Sequence, residues 1–270
     1  MSQGFLKTNS TLDKVVKPKL LYKYRKAGIL QHTEVLSTGK VYYAHPSEFD
    51  DKTELENILG FNNLTEPEII DLYYHKLKKK DPFKGHFLLL KEAEEWAAKG
   101  NLSKANIQKA NEEVKNHTGI YSMCYHGTND KLWKDYSNNY DGFCVGFDSD
   151  YFFVNGGGAG DIDYVEQKTK MTPLDDIDYR YMVAMYSKQK NYKDEEEYRA
   201  SKFFERELPP KHDERKIKIE GIAYKELIIG YKVSQHQRDV LIKWARLLNP
   251  NIEIKIASPD NGKVLLTTVS

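Results

Sequence analysis

The sequence predicts an α+β fold with a mixed or antiparallel sheet at its core, a helical insert, and a C-terminal helix followed by a hairpin. Three observations predict it. Apolar and aromatic runs near 20–25, 120–125, 142–147 and 226–229 have the length and composition of strands. The stretch 65–116 instead repeats its apolar residues at helical spacing. The helices also cluster between strand groups, whereas a βαβ sheet would alternate the two one for one.

Residues 1–19 read as a loose polar leader, and 20–270 as one α+β domain with the insert at about 65–116. Leu20 to Arg25 has the character of a short strand. Gly28 to Ser37 is a short helix stopped by Gly39, which can adopt the left-handed conformation a helix end needs. Val41-Tyr42-Tyr43-Ala44 is β-branched and aromatic, a strand ended by Pro46. In the insert, Thr65 and Glu68 have capping-box spacing and Pro67 falls in the tolerant first turn. Ile69, Ile70, Tyr73, Tyr74 and Leu77 then recur on one helical face. A second helix covers Leu88 to Ala98 with Gly100 as its stop, and a third starts near Ser103 and carries Ile107, Ala110 and Val114.

Beyond the insert, strands at Ile120–Tyr125 and Gly142–Phe147 flank a short helix at Asp130–Ser137. Gly156-Gly157-Gly158 marks a hinge-like loop, Asp163–Val165 a brief strand, and 174–202 a helical stretch. Strands at Ile217–Ala223 and Glu226–Ile229 lead to Gly230. A helix opens at Ser234 with Gln237 as capping partner, and Val240, Leu241, Trp244, Leu247 and Leu248 form its apolar stripe up to Asn249-Pro250. Ile252, Ile254 and Ile256 alternate as a half-buried strand, Asn261-Gly262 turns the chain, and Val264–Val269 returns.

Composition narrows function by exclusion. Lys and Arg number 41 against 40 acidic residues, so the chain lacks the basic excess by which a general nucleic-acid binder displaces counterions. The N-terminal stretch has no apolar signal-peptide core, and the apolar runs fall far short of the ~20 residues of a membrane span, which predicts a cytoplasmic protein without membrane contact. Cys124 and Cys144 are not in a CxxC pair, and the histidines show no HxxxH or HExxH spacing, so no metal is expected. The cysteines read as reduced, buried small hydrophobes.

Four segments join charge to aromatic rings. In Leu21-Tyr22-Lys23-Tyr24-Arg25, strand alternation puts Lys23 and Arg25 on one face and Tyr22 and Tyr24 on the other, a pattern suited to phosphate and a flat ring and equally to an edge strand with snorkelling cations. Phe49-Asp50-Asp51-Lys52-Thr53-Glu54 offers three carboxylates that could hold a hard cation, act as a base, or simply form a surface turn. Trp133 and Tyr136 share a helix face, as core or as a stacking platform. The fourth segment runs from Lys188 through Tyr192 to Glu195-Glu196-Glu197-Tyr198-Arg199. As a helix it pairs Glu195 with Arg199 on a solvated face; as a strand it puts Glu195, Glu197 and Arg199 on one face, where the cation keeps a carboxylate ionised.

In this order the segments resemble a bacterial family catalogued as domain of unknown function 2971. Tyr22-Lys23-Tyr24-Arg25 matches its YKYR-like strand, and Gly39 to Tyr43 its next strand. Phe49 to Glu54 matches an F-N-D-P-F-E-like turn, with departures at Asp50, Lys52 and Thr53. Trp133, Tyr136, Gly142, Phe143, Cys144 and Phe147 fit W-x-x-Y…G-F-C-x-x-F. Lys188, Glu195, Glu197 and Arg199 fit K-x-x-x-W-x-x-E-x-E-x-R, with Tyr192 in place of tryptophan. Leu227-Ile228-Ile229-Gly230 fits as well, so the resemblance spans about 20–257. It implies a pocket and supplies no reaction.

The succession of elements is also similar to ADP-ribosyltransferase-like toxin and defence proteins, which cleave the nicotinamide–ribose bond of NAD. That similarity implies a small nucleotide, NAD, as substrate and an unspecified macromolecular acceptor. It assigns Lys23, Tyr24, Arg25, Tyr42, Tyr43, Trp133 and Tyr136 to the cofactor, Asp51, Glu54 and Lys188 to the substrate, and Glu195, Glu197 and Arg199 to catalysis. The family's histidine or arginine triad signature is not cleanly present. Two other classes stay open: a metal-dependent phosphodiesterase or nuclease using Asp50, Asp51 and Glu54 with Glu195 or Glu197 around Mg²⁺, and a non-catalytic nucleotide sensor built on the same pocket.

Overall fold

In the computed structural model, which describes residues 18–49, 55, 64–99, 104–155, 158–167, 169, 171 and 175–269, the chain forms a mixed α+β structure. It opens with β1 (Leu20–Lys26), α1 (Leu30–Ser37) and β2 (Lys40–Tyr42). The insert follows as α2 (Glu66–Lys80), α3 (His86–Ala98) and α4 (Lys104–His117). Next come β3 (Thr118–Cys124), α5 (Asp130–Asp135), β4 (Gly142–Asp148), α6 (Ser149–Asn155), β5 (Ala159–Asp161) and β6 (Asp163–Val165). After α7 (Ile177–Tyr186) and β7 (Ser187–Gln189) lie β8 (Glu197–Phe203), β9 (Lys216–Lys218) and β10 (Tyr224–Gly230). The chain closes with α8 (Gln235–Leu248), β11 (Glu253–Asp260) and β12 (Lys263–Thr268).

Eight strands form one sheet in the order β12-β11-β10-β4-β1-β3-β8-β5. Only the pair joined through α8, β10 with β11, runs parallel; its other neighbours are antiparallel. Period-two alternation splits the strands between two layers. Leu21, Tyr121, Met123, Phe143, Val145, Phe147, Leu227 and Ile229 form the larger core with Val35 and Leu36 of α1 and Leu241 and Ala245 of α8. Full burial of each Leu, Ile, Val, Phe or Met side chain in this set contributes roughly 1.5–3 kcal/mol. On the opposite face Tyr24, Cys124, Cys144 and Ile228 lie under Leu132, Trp133 and Tyr140, and Ile120 lies under Met185 and Tyr186 of α7.

The insert has a core of its own, Tyr73, Leu77, Leu89 and Ala93, with Trp96 edge-on to Tyr73 at 5.6 Å. The Thr65–Glu68 capping box forms, the Thr65 N–H donating to Glu68 Oε2 at 2.7 Å. At the other end of the chain Asn261 (φ 47°) and Gly262 (φ 80°) both take the left-handed conformation that the β11–β12 hairpin turn demands. No helix among the described residues is long and apolar enough to cross a membrane.

Four local expectations need correction. Within the described part of the helical stretch expected over 174–202, α-helix is confined to α7; β7, a 3-10 turn at Lys190–Glu195 and β8 follow it, because β8 is hydrogen-bonded between β3 and β5. The strand expected over Ile217–Ala223 stops at Lys218, and Gly221–Ala223 form a 3-10 turn pressed against the end of α8. A Cβ on Gly221 would lie 2.0 Å from the Leu248 carbonyl oxygen. The ladder of β2 ends at Tyr42, with Ala44 bridging Ile120 by itself. Leu247 is 73% exposed, because Ala245, not Leu247, faces the sheet. Gly100, Ser103, Gly156 and Gly157 lie outside the described residues, as do residues 1–17 of the leader.

Candidate functional site

The site exists because one strand pair is left unzipped. β1 pairs with β4 along its whole length, from Leu20↔Asp148 to Lys26↔Gly142, and β3 pairs with β8 from Thr118↔Phe203 to Cys124↔Glu197. Between β1 and β3, however, the register contains the single pair Tyr22↔Cys124. Where these strands part, a cavity of about 240 Å³ opens between β1, β3 and β8. Lys23 Nζ reaches across the gap, donating to the Ser122 carbonyl at 2.5 Å and standing 5.2 Å above the Tyr121 ring. Its roof comes from α5, from the 3-10 turn before β8, and from Glu48 and Phe49 after β2.

An alternating chain of charges crosses the cavity wall. Arg199, only 1% exposed, donates from Nε to Glu197 Oε1 at 2.7 Å, from Nη2 to Oε2 at 3.2 Å and from Nη1 to the Met185 carbonyl at 2.8 Å. Lys188 Nζ donates to Glu197 Oε2 at 3.0 Å and to Glu195 Oε2 at 2.7 Å, over the Tyr192 ring at 4.6 Å. The Tyr136 hydroxyl completes the chain by donating to Glu195 Oε1 at 3.1 Å. Burial pushes the Glu197 carboxyl up, but Arg199 and Lys188 outweigh it and hold the group at about 2. Burial acts in the other direction on Lys23: with help from Arg25 it brings the ammonium down to about 7. Burial pushes the Cys124 thiol up to about 12, which disfavours a thiolate nucleophile.

Glu196, between the two glutamates, sits at φ 46°, ψ 47°. This left-handed residue ends the 3-10 turn and starts β8, so that Glu195 and Glu197 both meet Lys188. Glu196→Gly relieves that conformation and is expected to be neutral or to stabilise by up to about 1 kcal/mol, whereas Glu196→Val should cost about 1–3 kcal/mol. Urea midpoints of the two variants give the comparison, and a Val variant as stable as the Gly variant would contradict it.

Of the residues singled out in the sequence, Lys23, Tyr24, Arg25 and Tyr136 line the cavity, as do Lys188, Glu195, Glu197 and Arg199. Three aromatic candidates do not. Trp133 is wholly buried behind the wall, stacked on Tyr140 at 5.3 Å, edge-on to Tyr24 at 5.2 Å, with Nε1–H donating to the Gly127 carbonyl at 2.9 Å. Tyr42 donates to Glu48 Oε1 at 2.6 Å and packs on His212 beside the small β2–β9 sheet. Tyr43 turns into the main core next to Tyr121. Asp51 and Glu54, with Asp50, lie outside the described residues. Sequence reasoning missed Glu48, Ser122 and Leu132, whose types and spacing carry no signal.

The wall is held by a strained turn. Asn138, Asn139 and Tyr140 have φ of 51°, 53° and 68°, three successive left-handed residues, and a bulky side chain such as Tyr140 rarely adopts that region. The Tyr140 stack on Trp133 and its 2.6 Å hydrogen bond to Asp130 Oδ1 offset a strain of about 1–3 kcal/mol per residue and fix α5, which presents Leu132 and Tyr136. Among the described residues no group of three or more His, Cys, Asp or Glu side chains could hold a metal ion. No protein-family model, curated protein or solved structure matches the chain.

Proposed function

We propose that this cavity binds a small phosphorylated nucleotide, and that the protein acts on NAD at the nicotinamide–ribose bond in the manner of ADP-ribosyltransferase-like enzymes. The observation that carries the reading is that cations, rings and carboxylates from β1, α5, β7 and β8 line one concavity. Its volume of about 240 Å³ is under the roughly 300–1,000 Å³ of most ligand pockets, so it would enclose one nucleotide half of NAD and leave the other at the mouth. The same residues support placing the chain with domain of unknown function 2971, and with it a cytoplasmic role in bacterial defence or toxin systems.

In this reading Lys23 and Arg25 anchor phosphate and Tyr136 or Tyr192 flanks the planar ring. Cleavage breaks the C1′–N bond, whose electron pair passes to the nicotinamide ring and neutralises it. Water or an acceptor nucleophile then bonds to C1′ and releases a proton. The ribose passes through an oxocarbenium-like state, which an ionised carboxylate stabilises. Glu195 suits that part, because Tyr136 and Lys188 orient its oxygens at the edge of the cavity. Glu197 is already matched by Arg199 and Lys188, so we assign it to positioning those two cations.

Incubation with NAD, following nicotinamide release with and without EDTA, tests the proposal. Release is expected to be insensitive to EDTA and to fall roughly 10²–10³-fold in Glu195→Gln while NAD binding persists. Loss of activity in EDTA would point to the metal-dependent phosphodiesterase class. Binding without release would favour the sensor reading, which has its own support in both buried-wall carboxylates being paired with Lys188. Absence of both binding and release, with cell extract supplied as acceptor, would overturn the nucleotide reading.

A further inference from the structure

The charges of the cavity are unequally partnered. Lys188 and Arg199 are matched by Glu195 and Glu197, whereas among the described residues Lys23 and Arg25 have no carboxylate within ion-pair distance. Both are half-buried, two residues apart on β1 where the strand leaves β3. Arg25 makes one long hydrogen bond, from Nη1 to the Tyr24 carbonyl at 3.4 Å, and Lys23 one to the Ser122 carbonyl. Two desolvated cations side by side without a counterion are unfavourable, and only one of them can relieve the strain by losing its proton.

We propose that Lys23 and Arg25 form a proton-linked site for a doubly negative phosphate group, in which Arg25 holds a permanent charge and Lys23 takes up a proton as the ligand enters. The inference rests on the nucleotide reading above and names the part of the ligand that the inner cavity recognises. That chemistry is shared by the terminal phosphate of a mononucleotide and the diphosphate bridge of a dinucleotide. The groups facing Lys23 agree with it. Arg25 on its own strand opposes its charge; Glu197 and Glu195, across the cavity, favour it; Cys124 of β3, its thiol pushed up to about 12, stays neutral; Tyr121 offers a ring face. From α1, His32 is held down to about 4 by burial first and then by Arg25, Lys23 and Lys26, a histidine that reports the positive field on that side. In the free protein, burial and Arg25 keep the Lys23 ammonium near 7. A phosphate between the two cations favours the charged lysine and raises that value. Below pH 7 the lysine is already charged and no uptake occurs. Above it, binding takes up a proton, and affinity falls by close to tenfold per pH unit until the bound-state value is reached.

Calorimetric titration with AMP and, separately, with NAD between pH 7.5 and 9, in two buffers of different ionisation heat, tests this. A phosphate monoester completes its second ionisation near pH 6, so the ligand itself is silent in this window. The expected result is proton uptake rising toward one per ligand and the tenfold-per-unit fall in affinity, with Lys23→Arg giving a flat profile and Lys23→Met binding roughly 10- to 100-fold more weakly. AMP alone behaving so identifies a terminal phosphate, NAD alone the diphosphate bridge, and both the shared chemistry. Binding with no proton uptake and no pH dependence overturns the inference and leaves the nucleotide reading standing. No binding of either ligand at any pH removes both. If the Lys23 variants fail to fold, NMR of the wild-type protein with ¹³C-methylated lysines decides: one lysine must titrate near pH 7 and move upward with ligand, and its absence sinks the proposal.

Discussion

Replacing Arg199 with Met is expected to lower the stability of the protein by about 3–5 kcal/mol, the usual consequence of removing one partner of a buried ion pair. The magnitude follows from what remains. Glu197 is 5% exposed, and without the guanidinium it keeps Lys188 as its one cationic partner among the described residues while the Met185 carbonyl loses a donor. A neutral pair of similar volume, Arg199→Met with Glu197→Leu, should recover much of the loss, since hydrophobic replacement of a whole buried pair is often neutral or stabilising. Urea unfolding of the single and double variants measures both. A single variant within about 1 kcal/mol of wild type would mean that Lys188 alone suffices. The pair also sets an acid limit. The folded value of Glu197 is about 2, depressed from its ordinary 4.5, so its contribution is fully present above the unfolded value and is lost as pH falls toward 2. Arg199→Met should therefore flatten the decline in stability between about pH 5 and 2.

Trp133→Ala should be nearly as damaging, at about 3–5 kcal/mol, although the residue never reaches the cavity. Its removal leaves a void beneath α5, unstacks Tyr140 from the strained turn, and frees the Gly127 carbonyl. Because α5 carries Leu132 and Tyr136, ligand affinity is expected to fall together with stability. Trp133→Phe keeps a ring against Tyr140 and Tyr24 while losing the indole hydrogen bond, so it should cost less in both respects. Thermal unfolding beside a nucleotide titration separates the outcomes. A stable Trp133→Ala that binds normally would show that the wall does not depend on this stack.

Much of this architecture was legible because local signals and tertiary demands agreed. The α+β class, the three insert helices, the Thr65–Glu68 cap and the Asn261-Gly262 turn all follow from side-chain preference and spacing. The signals conflicted around Glu195-Glu196-Glu197-Tyr198-Arg199. There the i, i+4 charge pair suits an exposed helix and the i, i+2 pattern suits a strand, and the conflict was settled by β3 and β5, which pair with β8 from far away in sequence. The strand solution buries Arg199 and Glu197 on one face and sends Tyr198 and Ala200 into the main core on the other. The cationic part of the site was readable from alternation in Tyr22-Lys23-Tyr24-Arg25. Its aromatic part was not, because Tyr42, Tyr43 and Trp133 are as suitable for packing as for stacking, and only the route of the chain separates those uses.

The central place of β1 also bears on how the protein is made. The strand lies between β4 and β3, yet both are translated long after it, with the whole insert in between. β1 therefore leaves the ribosome before either of the strands that flank it, and it can complete its pairing with β4 only once the chain has grown past Asp148. Lys23, Arg25 and Lys26 keep that waiting strand charged, which opposes edge-to-edge aggregation in the interval before the sheet can close around it.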